Sequence, residues 1–147
     1  MPTIQEELIS LEGTLGFTED GGIYQWFRNK TGIHSIKGCI VTISSLEPNS
    51  IEIASPNSIP LGVIYDSDIP NGSLVRVVTL GKAKVLLKNG LSSTSGSWCG
   101  ISDISGTLYT SNSIPTITSD RERQIGFTLS NNLAGINILT LVNLKFN

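Results

Sequence analysis

The only histidine in this 147-residue chain, His34, sits in a Gly32-Ile33-His34-Ser35 stretch of loop character. A serine triad would have to recruit it, yet Gly-x-Ser-x-Gly occurs nowhere. A lone loop histidine reads as a solvated side chain or a local hydrogen-bond donor. Cys39 and Cys99 are far apart, and neither has a second Cys or a His at metal-ligand spacing. They read as small buried hydrophobes, the alternative being a long-range disulfide. Asp66, Asp68 and Asn71-Gly72 have the outline of a calcium loop. The glycine falls one position late, Pro70 occupies the fifth position and no glutamate stands at the twelfth, so the segment reads as a turn. Asp120, Arg121, Glu122 and Arg123 form the densest charge run and read as a solvated loop or an interface rim. No glycine cluster ends in Gly-Lys-Ser/Thr, as a phosphate loop would. These residues point to no catalytic site, no cofactor and no metal centre.

Composition narrows the partners. Net charge is −2 and 15% of residues are charged, so the chain lacks both the cationic face that drives nucleic-acid binding and a polybasic surface for anionic lipid. No apolar run approaches the roughly 18 residues of a membrane span, and the first ten residues lack a basic start and an apolar stretch. The expectation is a chain made without a secretion signal, with neither nucleic acid nor membrane as partner.

Ser, Thr and Asn together exceed a quarter of the chain, Ile is abundant and there are 15 glycines. This is the vocabulary of strands and turns. One helix is expected near the start, where Thr3 and Glu6 form a capping-box pair, Ile4, Leu8 and Leu11 share a stripe, and Gly13 can terminate the helix. From residue 38 onward, short apolar stretches alternate with turn signals. Strands are expected at 38–44, 50–54, 61–65, 74–80, 82–88, 98–102, 107–110, 124–130 and 136–146. Only Gly81 separates the two in the middle. One glycine cannot close a hairpin, so the pair reads as one long strand bulged or bent where it changes sheets.

Two segments stand out as contact surfaces. Tyr24, Trp26, Phe27 and Arg28 crowd together, with Tyr24 and Trp26 on one face of an expected edge strand that packs on the core. Trp, Tyr and Arg are also the residues that dominate interface energetics. The terminal stretch is apolar on both faces, with Ile138, Val142, Leu144 and Phe146 against Leu139 and Leu141. A strand of this kind is buried on two sides, either centrally in the fold or at an oligomer interface.

One order of motifs is shared with a known group. Asn29-Lys30-Thr31-Gly32 is followed by Lys37-Gly38, Leu61-Gly62-Val63, Gly72 with Val75 and Val77, Gly81 to Val85, Gln124-Ile125-Gly126 and a closing Lys145-Phe146-Asn147. The arrangement, over 29–147, resembles small tailed-phage virion proteins of the head-decoration and head-fibre kind. The resemblance implies a compact β-barrel or β-tulip-like domain, commonly a homotrimer, on the outer capsid surface. There it would bind the major capsid protein, stabilising capsomers or carrying a fibre. It supplies no catalytic residues. The reading is therefore an all-β fold, with residues 1–28 as a short N-terminal helix or arm and 29–147 as the barrel, and a structural role in the virion. The alternative is a receptor- or carbohydrate-binding module of a phage particle, for which Trp98 and Tyr109 are the candidate contacts.

Overall fold

A computed structural model describes residues 14–146; the expected helix at Thr3 to Leu11 lies outside them. The described residues are almost entirely β. Their strands are β1 (Leu15–Phe17), β2 (Gly22–Asn29), β3 (Ile40–Ile43), β4 (Ser50–Ile53), β5 (Gly62–Ile64), β6 (Leu74–Leu86), β7 (Trp98–Ile101), β8 (Leu108–Ser111), β9 (Gln124–Thr128) and β10 (Leu139–Leu144), with one helical turn, α1 (Thr118–Arg121), before β9.

All ten strands belong to one sheet, and the sheet closes on itself. From β2 the order runs through β4, β3 and β5 to β6, and β6 pairs again with β2, completing a five-stranded ring in which only β2–β4 is parallel. The second half of β6 continues through β10, β9 and β7 to β8. A parallel bridge between Leu87 and Leu108 returns β8 to the end of β6, with the Lys88 amide donating to the Leu108 carbonyl at 3.0 Å. Two barrels thus share one long strand. Closure satisfies backbone groups that open sheet edges would expose; β1, three residues long, keeps a free edge.

The strand shared by both barrels is the one read from the sequence as a bent strand. Ile23 faces Leu80 while Tyr24 faces Val78, which leaves Thr79 as the extra residue of a bulge. Gly81, at φ +82°, faces Gly22 on one side and Leu144 on the other, so here β6 passes from β2 to β10. A Cβ at position 81 would lie 2.7 Å from the Gly21 carbonyl oxygen.

Alternation along the strands builds two cores. Val41, Ile64 and Val77 join Phe27, Ile51 and Val75 inside the first barrel. Their neighbours Ile40, Val63 and Val78 point the other way, into a larger cluster with Val85, Ile101, Leu108 and Ile125. The middle of β3, β5 and β6 is therefore buried on both faces, which is why these segments read as continuous apolar runs.

Most residues that carry the resemblance are scaffold. Asn29 is fully buried; its Nδ2 donates to the carbonyls of Ile33 and Ile69, and its Oδ1 accepts from the Thr31 amide and hydroxyl. Gly38, at φ +89°, lets the chain pass where a Cβ would meet Leu139 Cδ2 at 2.5 Å. At Gly126 a side chain would collide with the Asn143 carbonyl. These positions specify the fold and leave function to the surface.

Three expectations are corrected. Residues 22–29 are not part of an arm preceding a barrel that starts at 29: β2 pairs with β6 from Gly22 to Arg28 and is integral to the first ring. Nor is β2 an edge strand, since it is flanked by β6 on one side and by β1 and β4 on the other. The terminal strand is also shorter than 136–146, because Ile136 and Asn137 belong to the loop before β10 and Asn137 takes φ +55°.

Candidate functional site

The aromatic segment occupies β2, and the strand's two-residue period divides it. Phe27 points into the first barrel and is 8% exposed. Tyr24 and Trp26 point away from the first barrel's interior, half-buried, Tyr24 packed against the larger core cluster as expected, their rings edge to face at 5.9 Å and 89°. Gly16 lies directly across from Tyr24, whose ring covers it. Trp26 lies across from Arg76 on β6.

Arg76 organises this outer face. Its guanidinium carbon lies 4.7 Å from the centre of Tyr65, 5.4 Å from Tyr24 and 5.7 Å from Trp26. Asp66 grips it side-on, accepting Nη2 on Oδ1 at 2.5 Å and Nε on Oδ2 at 3.0 Å. Asp66 Oδ2 also accepts the Arg76 backbone amide at 3.0 Å. Donating to the Asp66 carboxylate raises the guanidinium pKa above its already high ordinary value. Lys37 Nζ also lies over the Tyr65 ring, at 4.5 Å. Arg28, the fourth residue of the sequence cluster, donates Nη1 to the Gly72 carbonyl at 2.6 Å. The patch is a cluster of aromatic rings around a cation paired with Asp66. Aromatic rings and Arg are the residue types that dominate interface energetics.

The opposite face of β2 carries an apolar row. Phe17, Ile23 and Leu80 stand side by side on β1, β2 and β6, with Leu15 next to Phe17 on the same side of β1. Phe17 is 82% exposed, Leu15 65% and Leu80 57%. This row was not read from the sequence. Its signal was the spacing of Leu15 and Phe17, hidden in a stretch punctuated by glycines.

The terminal strand is central in the second barrel, paired with β6 and β9. Val142 and Leu144 are buried in its core, with Ile138 and Phe146 packed against it. Val142 and Leu144 are therefore spent inside the chain and present no surface to a second copy, a correction to their place in the expected oligomer interface. Leu139 and Leu141, on the other face, stay half-buried.

The remaining chemically suggestive residues are dispersed. His34 is exposed, and Cys39 and Cys99 are buried free thiols. Burial pushes Cys39 up to about 11 and Cys99 up to about 12, the latter despite an opposing backbone hydrogen bond at Gly126. Asp66 is engaged by Arg76. Among the described residues no three His, Cys, Asp or Glu side chains converge as a metal site, and no helix is long and apolar enough to cross a membrane. Trp98 and Tyr109, candidate sugar contacts eleven positions apart, do line one groove together, with Asp120 and Arg123. Trp98 is its buried floor and Tyr109 its exposed wall. No protein-family model matches the chain, and no curated protein matches it.

Proposed function

We propose that this protein is a structural component of a tailed-phage virion that binds the outer surface of the capsid through the major capsid protein, as a homotrimer. The observation that carries the reading is the exposed row of Leu15, Phe17 and Leu80 on a closed, rigid scaffold. Large apolar side chains set side by side in water mark a protein contact. The Tyr24–Trp26–Arg76 cluster lies on the other face of β2. The order of motifs resembling head-decoration and head-fibre proteins supplies the partner. Three copies joined in one body gain effective concentration, tightening weak capsid contacts by roughly 10²–10⁴-fold.

Sedimentation of purified protein with expanded, bare phage heads tests this reading, together with light scattering of the protein alone. Co-sedimentation that saturates, and a solution mass of three chains of 15.7 kDa, are expected. Failure to co-sediment at any salt concentration would overturn capsid binding, and a mass of one chain would overturn the trimer.

A further inference from the structure

The groove shared by Trp98 and Tyr109 has a volume of about 390 Å³, within the range of small-ligand sites. The β7–β8 pairing builds one wall. Trp98 faces Ser111 and Gly100 faces Tyr109, so these four residues lie on one face of the hairpin. The indole lies back over Gly100, where a Cβ would come within 2.6 Å of its Cη2, and Nε1 donates to Gln124 Oε1 at 2.9 Å. That places Trp98 as a fixed floor, 4% exposed, and leaves Tyr109, at 45%, with an open ring surface. The other wall comes from α1 and the turn after it. Arg123 bonds Asp120 and donates Nη1 to the Pro56 carbonyl at 3.2 Å, and the two side chains keep 32% and 36% of their surface exposed.

This lining selects a ligand class. A purely apolar ligand would strip water from a carboxylate, a guanidinium and hydroxyls without replacing their hydrogen bonds. An anion would find one guanidinium already paired with one carboxylate, hence no excess positive charge. A neutral molecule with a flat C–H face and a rim of hydroxyls matches both kinds of surface. The negative face of an aromatic ring attracts polarised C–H bonds, while hydroxyls donate to carboxylate and accept from guanidinium.

We propose that this groove binds a neutral saccharide, one pyranose ring stacking on Tyr109 over the Trp98 floor with its hydroxyls held by Asp120, Arg123 and Ser111. A second depression of about 200 Å³, lined by Asn57, Ser58, Ile59 and Glu122, shares Arg123 with the first. Arg123 thus lines both depressions, and the ligand proposed is an oligosaccharide rather than a single sugar. This activity goes beyond capsid attachment and does not depend on it.

The test is a glycan array carrying neutral and acidic oligosaccharides, probed with the wild-type protein and with Tyr109→Ala, Asp120→Asn and His34→Ala. At least one neutral oligosaccharide is expected to bind. Tyr109→Ala and Asp120→Asn should each weaken it by about tenfold or more, the loss of one stacking contact or one charged hydrogen bond. His34→Ala, in an exposed loop away from the groove, should bind as wild type. Melting temperatures establish that each variant is folded, and amide shift changes on titrating the bound glycan should concentrate in β7, β8 and α1. Retention of acidic glycans alone, no binding at all, or binding that survives both groove substitutions would overturn the proposal.

Discussion

Asp66 and Arg76 are bound to each other twice over. The carboxylate takes the guanidinium side-on, at 2.5 Å and 3.0 Å, and also accepts the backbone amide of the same residue at 3.0 Å. The pair joins the turn after β5 to the start of β6 and fixes the cation that Tyr24, Trp26 and Tyr65 surround. Removing Asp66 leaves a partly buried guanidinium without its acceptor. Asp66→Ala is expected to lower unfolding free energy by roughly 1.5–3 kcal/mol, the scale of a hydrogen bond to a charged group. Urea denaturation measures it, and an unchanged midpoint would mean that the cluster holds together without the carboxylate.

Substitutions in the first barrel's core and in the exposed apolar row should separate stability from binding. Phe27→Ala removes a core ring and is expected to cost roughly 3–5 kcal/mol. Phe17→Ser changes a side chain that is 82% exposed, so stability should stay within about 0.5 kcal/mol of wild type. In the head sedimentation assay, however, Phe17→Ser should lose binding by about tenfold or more. A fully binding Phe17→Ser protein would remove the row from the contact.

Along β10 the alternation predicts unequal costs. Leu144→Ala empties a buried position and should destabilise by roughly 2–5 kcal/mol. Leu141→Ala, on the half-buried face, should cost roughly half of that or less. Equal losses in thermal or urea melts would show that both faces of the strand are sealed in solution, as they would be in an oligomer.

The two buried thiols give stability a pH dependence at the alkaline end. Each ionises more readily unfolded, near its ordinary value of 9.0, than folded, at about 11 for Cys39 and about 12 for Cys99. Below pH 9 both states hold the proton and nothing changes. As pH rises from about 9 towards about 11, the unfolded state sheds protons first, and stability falls by up to about 1.4 kcal/mol per pH unit for each thiol. Denaturant melts across this range should show the fall, and the Cys39→Ala, Cys99→Ala double variant should flatten it. An identical slope in the variant would assign the effect to other groups.

Much of the β architecture was legible in the residues because its signals are local. Strand alternation from Ile40 to Leu144, turn residues such as Asn89-Gly90 and the single glycine between Leu80 and Lys82 act through the backbone of their own neighbours. The bent strand at Gly81 followed from them directly. The surface did not, because its members meet only across the sheet. Trp26 and Arg76 lie 50 positions apart and become neighbours through the register of β2 with β6. The alternation divided Tyr24, Trp26 and Phe27 between two faces, but which face was core depended on closure of the first barrel through the parallel β2–β4 contact. Trp98 reads equally as an exposed platform or a buried floor until Gly100 and Gln124 are placed beside it. Sequence by itself determined where the chain extends and where it turns, since torsional preference and side-chain period belong to single residues and their neighbours. Only the tertiary structure decided which faces are wet, because burial is a property of the closed barrels and not of any one strand.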